Sequence, residues 1–354
     1  MADFQPDQPT QPRPGEALDV ARLSAFFQKN GLPALTDARQ FPGGFSNLTY
    51  FLETETGGGY VLRRPPFGAQ IKGGHDMGRE FRVLTTLQAV GFPKIPKPVL
   101  FCDDETVLGA PFYVMERVNG VILRAASAAS PALTPALMRR LGETLLDTLA
   151  DLHALDVQKT GLLALGKPEG YVRRQVEGWI GRYEKARTDA IPAMDELAAW
   201  LRQHVPPEQP PAFLHNDFKF DNVVLSPDLT RIEAILDWEM ATVGDPLMDL
   251  GASLAYWCEA ADPDFLKAFN LTHLPGCPTR REVAHRYAAR TGRDLTHLPF
   301  YYAFGLYKNA VILQQIYARW KMGLTRDPRF GKLLPGVVAL GRMGVEAVGR
   351  GAFP

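Results

Sequence analysis

The sequence predicts an α+β protein, with a small antiparallel β-rich region followed by a larger helical one. Three observations carry that expectation. Short apolar runs bounded by glycine and proline fill the chain up to about Met115. From Thr134 onward, apolar residues recur at helical spacing. Within the helical region lies one compact polar motif, residues 213–238, FLHNDFKFDNVVLSPDLTRIEAILDW.

The opening stretch, residues 1–16, contains Pro6, Pro9, Pro12 and Pro14 and no apolar core. It reads as a disordered tail and does not fit a signal peptide. A first domain is expected over 17–115. Its helix, 18–30, stops at Gly31. Residues 41–52 and 60–64 read as two strands joined by a turn at Gly57, Gly58 and Gly59. The first of them opens on Gly43, Gly44, Phe45, Ser46 and Asn47. A helix over 77–90 carries Arg79 and Glu80, and Pro98–Cys102 and 111–115 complete a β-β-α-β-β series. The link falls at 115–120, and a second domain occupies 116–354. There Thr134 and Pro135 make a helix start, with Leu137, Leu141, Leu145, Leu149 and Leu152 along one face. Further helices are expected at 169–186, 194–204, 249–260, 279–291 and 300–322.

The chain has 354 residues, 39 Lys+Arg against 39 Asp+Glu. A zero net charge argues against general nucleic-acid or anionic-membrane binding. Cys102, Cys258 and Cys277 are far apart and form no C-x-x-C, so they read as free thiols in a reducing compartment with no zinc site. No apolar run approaches the ~20 residues a membrane span requires. A soluble, cytoplasmic protein with neither nucleic acid nor membrane as a partner is expected.

The motif sets His215, Asp217, Lys219 and Asn222 in one loop, H-x-D-x-K-x-x-N, and returns to Asp237 after a strand over 231–236. Phosphoryl transfer from ATP to a hydroxyl needs this inventory. Asp217 is the carboxylate that accepts or orients the attacking hydroxyl. Asn222 and Asp237 offer oxygen ligands to Mg2+. Lys219 offsets charge on the γ-phosphate. A turn with solvated charges is the plainer reading, but the full set between two hydrophobic strands favours function. His215 is either a base or a brace bonded to the backbone, and bracing is favoured because carboxylates are already present. Gly43, Gly44 and Ser46 either let backbone amides approach ATP phosphates or simply belong to a hairpin, with their place one strand before Arg63 favouring the first. Arg63, in YVLRRPP, either contacts phosphate or lies at the surface. Glu80 either pairs with it or is a solvated helix charge. Asp245 and Asp249 cap a helix, or one of them holds the Asp217 loop. Glu239 either supports the metal ligands or is exposed, and Trp238 packs.

The segments GGFSNLTYFL, YVLRRPP, REFRVL, PFYVMERVNG, LLDTLADLHALD, FLHNDFKFDN and LDWEMATVGDPLMDL, in this order, resemble the aminoglycoside phosphotransferase-like kinase family, a relative of the protein kinases. The resemblance runs from about residue 20 to 325 and implies a two-lobed protein-kinase-like fold. PFYVMERVNGVIL and FYYAFGLYKNAVILQQIYARWKMG are similar to the subgroup associated with acyl-CoA dehydrogenases. That resemblance implies ATP and Mg2+ as cofactors, a hydroxyacyl-CoA as acceptor and an acyl-CoA dehydrogenase as functional partner. It also implies Asp217 as catalytic base and Asn222 and Asp237 as magnesium ligands. The phosphate loop would be Gly43, Gly44, Phe45, Ser46 and Asn47, and the adenine-contacting hinge Met115, Glu116 and Val118. This chain departs from the pattern at Asn216, where Gly is usual, and at Arg63, where protein kinases use Lys.

Two other readings compete. An antibiotic kinase acting on polycationic aminoglycosides needs clustered acids around its acceptor. Residues 270–330 are instead basic, with Arg280, Arg281, Arg286, Arg290, Arg293, Lys308, Arg319, Lys321 and Arg326 interleaved with Tyr301, Tyr302, Tyr307, Tyr317 and Trp320. An anionic acceptor such as a CoA thioester is therefore expected to dock there. A catalytically dead nucleotide-binding protein is disfavoured by the intact Asp217, Asn222 and Asp237.

Overall fold

The computed structural model describes Phe4 and residues 7–42, 47–67, 75–268, 270–325 and 327–350. The chain forms two compact units, Met1–Ile122 with Asn222–Ala241, and Leu123–Asp221 with Thr242–Pro354.

The first unit contains α1 (Val20–Lys29), β1 (Leu35–Gln40), β2 (Leu48–Thr54), β3 (Gly59–Arg64), α2 (Met77–Ala89), β4 (Pro98–Cys102), the short α3 (Glu105–Leu108) and β5 (Phe112–Glu116). The strands make one antiparallel sheet in the order β1-β2-β3-β5-β4. Register pairs Tyr50 with Leu62 and Leu62 with Val114, so these residues share a face. They pack with Leu23 and Phe27 of α1 in the core. Arg63 and Tyr113, also in register, point to the opposite face, where α2 brings Glu80.

Strand β1 was not expected. Its sequence, LTDARQ, interrupts the apolar alternation with Asp37 and Arg39, as an edge strand tolerates. The strand expected from residue 41 begins at Leu48, and residues 43–46 lie outside the described residues. The expected disordered tail needs correction over Thr10–Glu16. Thr10 and Gln40 exchange two backbone bonds of 2.8 Å, Arg13 N–H donates to the Gln40 side chain, and Tyr50 donates to the Glu16 carbonyl. The exposed edge of β1 supplies partners that a composition argument does not see.

Segment Asn222–Ala241 belongs to the first unit, although it follows the loop of the second. Its hairpin is built of two short strands, Val223–Leu225 (β7) and Ile232–Ile235 (β8). Val121 and Leu225 exchange backbone bonds, and Ile235 N–H donates to Lys94 O at 2.9 Å. Gly120 permits this approach, since a Cβ there would sit 2.2 Å from Leu225 O.

The second unit contains α4 (Pro135–His153), α5 (Tyr171–Ala186), α6 (Pro192–Gln203), β6 (Ala212–Leu214), β9 (Thr242–Gly244), α7 (Pro246–Tyr256), α8 (Asp264–Lys267), α9 (Arg280–Thr291), α10 (Leu298–Lys321) and α11 (Leu334–Gly349). The short β6 pairs with β9 on either side of the excursion into the first unit. Helix α10 is buried over most of its surface, and α7 crosses it at Gly251 and Gly305. A Cβ at Gly251 would lie 2.3 Å from Tyr301 O, so the small residues set the crossing distance. Helix α7 starts at Pro246, three residues before the expected start, because Asp245 caps it. Helix α11 was missed because Gly336, Gly341 and Gly344 depress its helical signal; Gly341 and Gly344 in fact face α6. Among the described residues, no helix is long and apolar enough to cross a membrane.

Candidate active site

In the first unit, β3 and α2 hold Arg63 and Glu80 together. Arg63 Nε lies 3.3 Å from Glu80 Oε2, and its Nη2 lies 2.8 Å from Asp237 Oδ1. Tyr113 donates to Glu80 at 2.7 Å. The Asn47 amide donates to Glu239 at 2.9 Å and to Glu80 at 3.3 Å. Arg79 reaches the carbonyls of Glu239 and Ala241, tying the residues after Asp237 to α2. Arg63 and Glu80 are buried, which excludes the surface readings of both.

The hairpin fixes Asp237. Leu236 N–H donates to Asn222 O at 2.8 Å, so Asn222 and Asp237 flank its open end. Asp237 itself is left-handed, with φ 65° and ψ 62°, a conformation unusual outside glycine that clusters at functional sites. One oxygen each from Glu80, Asp237 and Glu239 lie within 4.8 Å of one another. Three carboxylates stand against the guanidinium groups of Arg63 and Arg79, which leaves negative charge in excess. The oxygen-only donor set therefore fits a hard divalent cation such as Mg2+. Burial opposes the charge of Arg63, but Glu80 and Asp237 more than offset it and hold the guanidinium cationic. Burial pushes the Glu80 carboxyl up, against the pull of Arg63.

Of the expected nucleotide contacts, Gly43, Gly44, Phe45 and Ser46 lie outside the described residues. Met115 is buried in β5, paired with Val61. Glu116 uses its N–H on Lys97 O and its carboxylate on the Lys97 ammonium. Val118 lies just beyond β5, and its backbone makes no hydrogen bond to another described residue.

In the second unit, one buried carboxylate holds two successive backbone N–H groups of the loop after β6. Asp249, in the first turn of α7, is fully buried and accepts the N–H groups of His215 (2.6 Å) and Asn216 (2.8 Å). His153 Nε2 lies 3.2 Å from the same carboxylate, and its Nδ1 lies 2.7 Å from Tyr287 OH. Asp245 is the cap of α7; Asp249 is the loop holder. His215 is also fully buried, and its Nδ1 accepts the Asp217 N–H at 3.2 Å. The base reading of His215 is therefore corrected to bracing: its ring is committed to the loop's own backbone. Asn216 adopts φ 65°, the conformation the usual glycine would take, and its amide meets Tyr171 OH. Asparagine tolerates this region, so the substitution preserves the turn.

Asp217 remains partly exposed. Lys219 Nζ lies 3.1 Å from its carboxylate and 4.5 Å from the Tyr256 ring centroid. Burial and the Asp217 charge push the Tyr256 phenol's pKa up. Burial raises the Asp217 pKa, but Lys219, Lys308 and His215 outweigh it, and the carboxyl sits below its ordinary range. Asp217 is thus an anion at neutral pH, able to accept hydrogen bonds. Tyr256 was missed, though a signal existed: it stands seven residues after Asp249, on the same helical face.

The basic face expected over 270–330 is largely cancelled. Arg280 pairs with Asp262, Arg286 with Asp147, Arg290 with Asp151 and Lys321 with Asp189, while Arg293 donates to Pro210 O. Lys308 is buried, as are Tyr301, Tyr302 and Tyr307, which fill the core. Only Arg281 and Arg319 remain exposed without an ion pair among the described residues of that group, and Arg326 lies outside them. Charge counting finds cations but not the acids packed against them.

A five-strand antiparallel sheet with a buried Arg–Glu pair, and a helical unit holding an Asp–Lys loop, define a kinase-like phosphotransferase. The chain belongs to the phosphotransferase enzyme family APH, whose family model matches residues 37–285. Acyl-CoA dehydrogenase family member 11 of Rattus norvegicus is 37% identical over 321 residues, covering 88% of this chain and 41% of that protein. This chain thus spans about two fifths of the length of that curated relative. A crystal structure from Ralstonia eutropha, provisionally described as an aminoglycoside phosphotransferase, superposes with a TM-score of 0.80 at 33% identity, covering 94% of this chain and 99% of that one. A thermostable mutant of aminoglycoside phosphotransferase APH(4)-Ia, in a ternary complex with ADP and hygromycin B, shares the fold at 16% identity and a TM-score of 0.57, covering 92% and 98%.

Proposed function

We propose that this chain is an ATP- and Mg2+-dependent kinase that phosphorylates the hydroxyl of a hydroxyacyl-CoA. The observation that carries the chemistry is Asp217, an anionic carboxylate on a rigidly braced loop in a chain of the phosphotransferase family. Asp217 accepts the hydrogen bond of the acceptor hydroxyl and orients its oxygen toward the γ-phosphorus. Lys219 keeps Asp217 ionised and offsets charge on the transferred group. Asp237 and Asn222, with Glu239 and Glu80 beside Asp237, would hold Mg2+, which when bound neutralises charge on the nucleotide phosphates. Arg63, fixed by Glu80, contributes a guanidinium to the phosphates. Gly43, Gly44, Phe45, Ser46 and Asn47 are proposed as the phosphate loop, and Met115, Glu116 and Val118 as the adenine hinge. ADP in the APH(4)-Ia complex supports an adenine nucleotide as donor.

The acceptor follows from the relatives' names and from one cation. Arg182 stacks on Trp179, 4.4 Å from the ring centroid; desolvation lowers its pKa, and it forms no ion pair among the described residues. It offers an anionic acceptor a partner in the unit that carries Asp217. An acyl-CoA dehydrogenase is the proposed functional partner, and the free thiols fit a cytoplasmic setting. The test is incubation with Mg-ATP and separate hydroxyacyl-CoAs, kanamycin and simple sugars, reading ADP release and phosphate addition by mass. Phosphorylated hydroxyacyl-CoA is expected. Phosphorylation of kanamycin and of no hydroxyacyl-CoA would overturn the acceptor and leave the kinase.

A further inference from the structure

Helix α10 carries a lysine that the transfer chemistry above does not use. Lys308 is 2% exposed. Its Nζ donates to the main-chain carbonyl of Asn216 and lies 5.6 Å from the Trp179 ring centroid. It forms no ion pair with a carboxylate among the described residues, so its ammonium is buried against one carbonyl and one aromatic ring. A buried, unpaired cation is unfavourable to the fold. A methionine of similar length would fill the same space without that penalty, losing only the one hydrogen bond to the Asn216 carbonyl. The charge stands where the loop turns left-handed, one residue before Asp217.

We propose that Lys308 is a positioning residue for phosphoryl transfer, pinning the Asn216 carbonyl and thereby fixing the left-handed turn that aims Asp217. The inference rests on Asp217 as the carboxylate that orients the acceptor. The charged groups facing Lys308 are Asp217 and Lys219 from the loop, Asp249 from α7 and Arg182 from α5. Burial lowers its pKa to about 8; the two acids oppose that shift, and Lys219 and Arg182 add to it. The folded value lies below the ordinary ~10.4. The folded state therefore bears the burden of the charge at pH below about 8, and stability recovers as pH rises from there toward the unfolded value. Turnover should move the other way, falling as the ammonium loses its proton.

The experiment uses the full chain, Lys308→Met and Lys308→Arg, with Mg-ATP hydrolysis as the rate, water serving as acceptor. Stability and nucleotide affinity are measured alongside. Lys308→Met should be at least as stable as the parent at neutral pH, bind nucleotide equally and lose ~10- to 100-fold in kcat, the scale of a misplaced catalytic group. The parent rate should decline through about pH 8. Lys308→Arg cannot titrate in that range and should lose this decline while keeping activity at neutral pH; it decides the matter if the Met variant does not fold. A Met variant that is less stable yet turns over normally per folded molecule would show a purely structural lysine. An Arg variant that still declines near pH 8 would also overturn the proposal. If Asp217→Asn hydrolyses ATP normally, the reading of Asp217 fails; if only Lys308→Met does, this inference fails alone.

Discussion

Asp249 is the residue whose removal has the most calculable consequence. Its carboxylate accepts two backbone N–H groups from the loop and contacts the His153 ring, all buried. Asp249→Ala leaves three polar groups without that partner. At about 1–3 kcal/mol for each buried group left unsatisfied, the sum is ~3–9 kcal/mol. Water entering the vacated space moves the expected loss to the lower end, ~3–5 kcal/mol. Urea denaturation followed by tryptophan fluorescence measures it, because Trp179 and Trp257 lie in the same unit. The pH dependence has a definite sign. Burial raises the Asp249 pKa, but His153, His215 and the loop hydrogen bonds outweigh it, so the folded value is depressed. Its contribution is complete above the unfolded value of ~3.9 and is lost as pH falls through the folded value. The gap between parent and Asp249→Ala should therefore be constant near neutrality and shrink on acidification below about pH 4. A loss under ~1 kcal/mol at pH 7, the size of an ordinary surface change, would refute Asp249 as a main anchor of the loop.

Substitutions at two further positions probe the backbone and the metal ligands. Asn216→Gly should fold and lose roughly 1 kcal/mol with the Tyr171 contact, whereas Asn216→Val should lose ~1–3 kcal/mol more because a β-branched residue resists positive φ. Equal stability of the two variants in the same urea titration would contradict the left-handed requirement. Asp237→Ala should abolish most of the rise in melting temperature that ATP gives with Mg2+, by removing a ligand. An unchanged magnesium titration of that rise would remove Asp237 from the site.

The loop was legible because its chemistry is local. His215, Asp217, Lys219 and Asn222 lie within eight residues, and the strands beside them are apolar. The helices with a clean apolar stripe were legible for the same reason, α4 and α5 among them. Tertiary compensation was not. Strand β1 is specified by pairing with β2 rather than by its own alternation, and α11 by glycines that face α6. Lys308 looked like part of a basic surface because sequence records charge and not burial. The acids that neutralise Arg286 and Arg290 come from α4, more than a hundred residues earlier. The partners of Arg63 were half visible: Glu80 was named with it, but Asp237 was assigned to metal alone.

Asp217→Asn tests the central claim most directly. The substitution keeps the size of the side chain and removes the anion that accepts the hydroxyl's hydrogen bond. Turnover with Mg-ATP and the acceptor found in the screen, measured beside nucleotide affinity and folded fraction, should fall at least ~100-fold with affinity and folding retained. A correctly folded Asp217→Asn protein that turns over at near the parent rate would contradict phosphoryl transfer through this loop.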